Sequence, residues 1–213
     1  METINREITN LDMDVIIAED CECVSHAHVY GLENSIRRAK FPMAVDPDLL
    51  NSELTDGISG LAKSKSGEGH DQWLTGVIVQ FDLTFSNKVW VEAERYHFFD
   101  FVSSQSTMHR IAKFDFDQTY NEYVDGRIIK IMKEKLDAYN NETDEDMRRE
   151  RYLGLLYSNP AGCMITAGMT TNYRQLKTIY RQRKNHRLPE WRAFCRWIES
   201  LPYSDLITGE PIE

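Results

Sequence analysis

The sequence predicts one domain in which strands and helices are mixed, an α/β chain, and three observations carry this expectation. At 213 residues the chain is long enough for one sizeable core and short for two. Val77, Val79, Phe81, Leu83 and Phe85 alternate with mostly polar neighbours, which is the period of a half-buried strand. Several other stretches return their apolar residues about every three to four positions instead, as a helix with one buried face does.

Taken in order, residues 13–18 read as a strand through Val15, Ile16 and Ile17. Residues 33–41 read as a helix with Asn34 as its cap, stopped by Pro42. Residues 46–62 suggest a second helix on Leu49, Leu50, Leu54, Ile58 and Leu61, although Gly57 and Gly60 weaken its second half. Residues 63–69, rich in Ser, Gly and Lys, form a loop before the strand at 77–85. Residues 89–101 are expected as helix, with Trp90, Ala93, Tyr96 and His97 on one side. Further helices are expected at 125–139 (Ile128, Ile129, Met132 and Leu136 inward), 147–157 and 189–201. The last of these buries Trp191, Phe194, Trp197 and Ile198. Asn159-Pro160-Ala161-Gly162 breaks the chain before another helix at 171–183.

Composition narrows the function classes. No run approaches the roughly 18 apolar residues of a membrane span, and the polar start is unlike a signal peptide, so the expected location is cytoplasmic and no membrane is involved. A formal net charge of −9 argues against general nucleic-acid binding. The cations are nevertheless concentrated: between Arg174 and Arg196 eight Lys or Arg face the single acid Glu190. Cys21, Cys23, His26 and His28 are all possible zinc ligands, but C-x-C and H-x-H lack the usual spacing of a tetrahedral site, so the expectation is no metal and four reduced thiols.

The segment 171–183 is the most informative. Asn172, Leu176, Ile179 and Arg183 fall on one helical stripe, with Arg174, Thr178 and Arg181 on a polar stripe nearby. Arg183 then lies about 16 Å along the axis from Asn172, an arrangement that suits an elongated anion. Free N–H groups at the helix start favour phosphate near Asn172 and Arg174. Arg183 ends an apolar stripe and so should turn inward, where it either pairs with an acid such as Glu92 or Glu190 or faces a ligand. Upstream, the run Ser103 to Arg110, containing Ser104, Gln105, Ser106 and His109, offers several donors to one phosphate. His70 stands at a loop-to-strand edge, where ligand groups collect.

These pieces resemble the flavin-dependent thymidylate synthases. Asn159-Pro160, then Asn172-Tyr173-Arg174-Gln175-Leu176 and Arg183, resembles that family's Leu-Pro followed by an N-x-R-x-L-x6-R helix. Gly69-His70 resembles its G-H-x-[ST]-x-x-E-H, and Arg95-Tyr96-His97 followed by Ser103 to Ser106 resembles its R-H-R-x7-S-x-R-Y. There are departures. Tyr96 and His97 replace the His and second Arg, Thr75-Gly76 stands where Glu-His is expected, and Ser106-Thr107-Met108-His109 replaces the S-x-R-Y tail, leaving Arg110 as a displaced arginine. Leu156 stands where the family has a phosphate-binding arginine.

The resemblance implies an α/β fold of the thymidylate-synthase-complementing type, with a central, mostly antiparallel sheet packed by helices, and a homotetramer whose sites are shared between subunits. It implies FAD held by His70, Arg95, His97, Asn172 and Arg174. It implies a nucleotide phosphate held by Ser104, Gln105, Ser106 and Arg110, and Arg183 as the catalytic residue facing the pyrimidine. The partners implied are dUMP or a related pyrimidine nucleotide, methylenetetrahydrofolate and NADPH. Three readings stay open: a flavin-dependent methyltransferase making dTMP, a flavin- or nucleotide-binding relative with a lost or altered reaction, and a nucleic-acid surface on the basic, aromatic segment 181–197.

Overall fold

In the computed structural model, which describes residues 14–65 and 67–209, five strands form one sheet in the order β1-β2-β3-β5-β4. They are β1 (Val15–Ile17), β2 (Val24–Tyr30), β3 (Ile78–Ser86), β4 (Asp100–Ser104) and β5 (Met164–Asn172). Every neighbouring pair is antiparallel. The helices are α1 (Leu32–Ala39), α2 (Asp56–Ala62), α3 (Asn87–Ala93), α4 (Thr107–Arg110), α5 (Gly126–Asn140), α6 (Glu145–Ser158), α7 (Tyr173–Arg183), α8 (Pro189–Ser200) and α9 (Asp205–Thr208).

The centre of the sheet is the β3–β5 pair, in register from Ile78 opposite Asn172 to Ser86 opposite Met164. Val79, Phe81, Leu83 and Phe85 of β3, with Ile165, Ala167 and Met169 of β5, are buried on one face. Helix α8 covers that face. Phe81 meets Trp197 at 4.9 Å between ring centres and Phe85 meets Trp191 at 5.1 Å, and such rings supply much of a core's apolar burial. A smaller core of Ile111, Phe116, Met132 and Leu155 lies under α5 and α6.

The expected strand at 13–18 is β1; Met13 lies outside the described residues. The expected helices at 33–41, 125–139, 147–157, 171–183 and 189–201 are all present with slightly shifted ends. Three expectations need correction. The helix expected at 46–62 exists only as a 3₁₀ turn, Pro47–Leu49, and α2, because Asp46 and Thr55 each cap a separate start. The helix expected at 89–101 ends at Ala93; Phe98 adopts a φ of 58°, and the chain then enters β4. Ile128 of α5, expected inward, is 40% exposed, because the stripe of that helix that packs on the smaller core runs through Ile129, Met132 and Leu136 and leaves Ile128 to its side.

Strand β5 passes into α7 without a loop, and this junction positions the site. Asn172 is both the last residue of β5 and the N-cap of α7, its side-chain oxygen accepting from the Gln175 N–H at 2.9 Å. The 3₁₀ turn His70–Gly76 packs beside it, and its end touches α1 closely: a Cβ on Gly31, at a φ of 73°, would stand 2.8 Å from the Gly76 carbonyl oxygen.

Candidate functional site

A cavity of about 720 Å³ opens at the start of α7. Its walls come from the 70–76 turn (Asp71, Gln72, Thr75), from His97 and Phe98 ahead of β4, and from the α7 side chains Arg174, Gln175, Lys177, Thr178, Arg181 and Gln182, with Asn172 at the cap. The polar stripe read from the sequence, Arg174, Thr178 and Arg181, is thus gathered on one wall. Phe98 is 67% exposed here, its left-handed backbone tied by the Thr171 hydroxyl donating to the Phe98 carbonyl at 2.6 Å. A bulky residue with positive φ is held only by such surrounding constraints.

Within this wall lies a largely buried ionic cluster. The Asp71 carboxylate accepts from Arg174 Nε at 3.0 Å and from the Lys177 ammonium at 2.7 Å. Lys177 also donates to the carbonyls of Ala62 at 2.6 Å and Ser64 at 2.9 Å, so its three N–H bonds are satisfied. Burial alone would push the Asp71 carboxyl up, but the bonds and charges of Lys177 and Arg174 hold it below the usual carboxylate range. Burial lowers the Lys177 ammonium, against the pull of Asp71. The cluster carries one excess positive charge, and Arg181 adds another to the same wall.

Arg183 is placed differently. It does not wall this cavity. It lies in a cage, donating from Nε to the Tyr96 hydroxyl at 2.7 Å and from Nη1 to Glu92 at 3.1 Å, with its guanidinium 4.8 Å from the Trp191 ring centre. His186 closes the cage at 2.8 Å from Nη1. Burial would push the Glu92 carboxyl up, but bonds from Trp191 and Lys88 and the charges of His186 and Arg183 hold it down. Of the two acids expected as partners, Glu92 is the one used; Glu190 accepts from Ser86 instead. The cage and the cavity touch, because the Tyr96 hydroxyl donates to Gln182 at 2.9 Å and Gln182 walls the cavity.

Of the residues expected to hold a cofactor, the structure therefore brings His97, Asn172 and Arg174 together. His70 begins the turn that contributes Asp71 and is exposed, and Arg95 is exposed beyond α3. Ser104, Gln105, Ser106 and Arg110 lie at the other end of β5, since Ser104 pairs with Ala167, five residues from Asn172 or about 17 Å along a strand. There Gln105 is tied to β5, donating its N–H to the Thr166 carbonyl and accepting from the Thr166 N–H. Within one chain the two groups form no common site. Asp71 and Lys177, which sequence reasoning missed, were signalled only weakly: Lys177 falls four residues after Tyr173, on a stripe that proves buried.

The Cys and His group forms no cluster. Cys21 and Cys23 approach at 3.8 Å, His26 pairs with Asp82 at 3.0 Å, and among the described residues no three metal-binding side chains converge. The basic segment 181–197 keeps Trp191 and Trp197 buried and holds Arg183 in its cage, so it lacks the exposed aromatic faces that single-stranded nucleic acid stacks upon. No helix among the described residues is long and apolar enough to cross a membrane.

The cavity's size is that of a small-molecule site, and its donors suit an anion with several acceptors. Gln175 Nε2 and Arg181 Nη2, on residues of its wall, are buried without a hydrogen-bond partner, a cost that a ligand acceptor reaching them would remove. These features fit a phosphate-bearing cofactor. No protein-family model and no curated protein matches the sequence. The structure, in contrast, is similar to the flavin-dependent thymidylate synthase ThyX of Helicobacter pylori in complex with FAD and dUMP. The TM-score is 0.62 over 92% of this chain and 97% of that chain, at 12% identity. A second structure of the same enzyme, also with FAD and dUMP, gives 0.60 over 92% and 96%, again at 12% identity. The fold is that of the flavin-dependent thymidylate synthases: α/β, with a central antiparallel sheet packed by helices.

Proposed function

We propose that this chain binds FAD in the cavity at the start of α7 and is a flavin-dependent methyltransferase that makes dTMP from dUMP, or acts on a related pyrimidine nucleotide. The observation that carries the reading is the convergence of His97, Asn172 and Arg174 on one cationic cavity within this fold. Arg174 would meet phosphate oxygens with its terminal amino groups, which carry no hydrogen bond among the described residues. Asn172 keeps its amide N–H donors for the cofactor because only its oxygen serves the helix cap. Phe98 offers an exposed ring face to an aromatic ring.

FAD, when bound, would supply hydride transfer and one-carbon handling that no side chain here can perform. The chain's part is orientation and charge. His70 and Arg95 would complete the cofactor site, and Ser104, Gln105, Ser106 and Arg110 would hold the nucleotide phosphate, in an assembly where a second subunit brings the far end of β5 to the cavity. A homotetramer, with methylenetetrahydrofolate as carbon donor and NADPH as reductant, belongs to the same proposal, as does a cytoplasmic location. Arg183 would stabilise negative charge on the pyrimidine after leaving, or sharing, its bonds to Glu92 and Tyr96.

That cage favours a second reading, a flavin-binding relative whose reaction is lost or altered, because Arg183 is already satisfied within its own chain. A turnover assay with reduced flavin, dUMP and methylenetetrahydrofolate separates the two. Formation of dTMP supports the methyltransferase. Tight FAD binding without dTMP supports the second reading, and absence of FAD binding contradicts both.

A further inference from the structure

We infer that Asp71 is a positioning residue for Arg174, and that Lys177 is the fixed counter-charge that keeps Asp71 in that role. The inference rests on the cavity being a site for a phosphate-bearing ligand. An arginine that receives phosphate works best when its guanidinium is already oriented, because a free arginine loses rotamer entropy on binding. Here the orientation is built in. Asp71 takes the Nε–H of Arg174 at 3.0 Å and leaves the terminal amino groups for the cavity that Arg174 lines. The carboxylate itself is 5% exposed, so it cannot swing away to water.

A lone carboxylate there would also neutralise Arg174 and discourage an anion. Lys177 removes that difficulty. Its side chain is 3% exposed and its ammonium is held at 2.7 Å from the other Asp71 oxygen, so Asp71 orients Arg174 while its charge is balanced from behind. Lys177 further fastens Asp71 by joining the carbonyls of Ala62, the last residue of α2, and of Ser64 just beyond it, so the 70–76 turn, the end of α2 and α7 meet at one ammonium. Neither residue need touch the ligand.

The test uses FAD and inorganic pyrophosphate as probes and four proteins: wild type, Arg174→Ala, the double variant Asp71→Asn/Lys177→Met, and all three substitutions together. The double variant removes both buried charges at once, so it avoids leaving one unpaired. Wild type should bind both probes, and the double variant should bind each about tenfold more weakly although Arg174 is intact. Adding Arg174→Ala to the double variant should then weaken binding by less than it does in wild type, because part of that loss has already been taken. A double variant that binds both probes like wild type overturns the inference. Pyrophosphate binding without FAD binding would defeat the flavin reading alone, while the inference would still be decided on pyrophosphate; binding of neither probe defeats both. Nitrogen-15 NMR of the wild type gives a readout independent of the variants' folding. The Arg174 Nε–H resonance should be protected from exchange and stay so when pyrophosphate is added, and its loss on binding would show that Asp71 releases Arg174 rather than positions it.

Discussion

Replacing Arg183 with leucine should destabilise the protein by about 3 kcal/mol, at the low end of the range for breaking a largely buried ion pair from one side. The cage sets this magnitude. The Arg183 and Glu92 side chains are 14% and 16% exposed, so neither can recover its bond fully in water. Leucine leaves the Tyr96 hydroxyl without its 2.7 Å donor and removes a cation from the Trp191 ring. Glu92 keeps Lys88 and Trp191 as donors, which holds the cost to the lower end. For a chain of this size, 3 kcal/mol corresponds to a fall of about 6–12 °C in melting temperature. Thermal melts at neutral pH followed by circular dichroism measure this. A leucine variant that melts within about 2 °C of wild type would refute the reasoning, since it would mean that the cage contributes almost nothing. Arg183→Lys then separates structure from catalysis: lysine keeps the charge and loses the planar fork, so a catalytic Arg183 predicts turnover lower by about a hundredfold per folded molecule. Normal single-turnover flavin oxidation in the lysine variant removes Arg183 from the catalytic role.

The remaining predictions concern the cavity, acid and the thiols. Arg174→Ala should weaken FAD binding by about tenfold to a hundredfold in a fluorescence titration, with little change in melting temperature; equal affinities would take Arg174 out of the site. Asp71 and Glu92 have carboxyls held low in the fold, so their contribution is full above the unfolded carboxylate pKa, about 4, and is lost as pH falls through the folded values. The melting temperature of wild type should therefore fall steeply below about pH 4, and that of Glu92→Gln less steeply; parallel curves would contradict the assignment for Glu92. Cys21 is exposed, whereas burial raises the Cys23 and Cys163 thiols and pushes Cys195 up to about 12. A maleimide at mildly alkaline pH should thus label Cys21 rapidly and the other three only after denaturant, as mass spectrometry would show.

What the sequence made legible follows the strength of its periodicity. β3 and α8 each bury one clean face, and both were readable from spacing alone. β5 was not, because its inward positions Ile165, Ala167, Met169 and Thr171 include one small and one polar residue, and its exit into α7 has no turn residues to mark the change. β2 was obscured by Ser25, His26 and His28, and by the register shift between Ser25 and His28 where His26 takes a positive φ. Asn172 and Arg174 could be read as a site because a helix start confers chemistry on its own residues. Asp71 and Lys177 could not, because their pairing spans 106 positions and depends on how the 70–76 turn docks on α7. Arg183 was legible as an inward arginine, but the choice of Glu92 over Glu190 depends on how α3 lies against α7.

The most direct test of the account is a crystal structure of the protein grown with FAD. The account predicts the cofactor in the cavity between the 70–76 turn and α7, with phosphate oxygens on the terminal amino groups of Arg174 and the Asp71–Arg174 Nε bond intact. FAD bound elsewhere on the chain, with Arg174 making no contact to it, would contradict the assignment of this cavity.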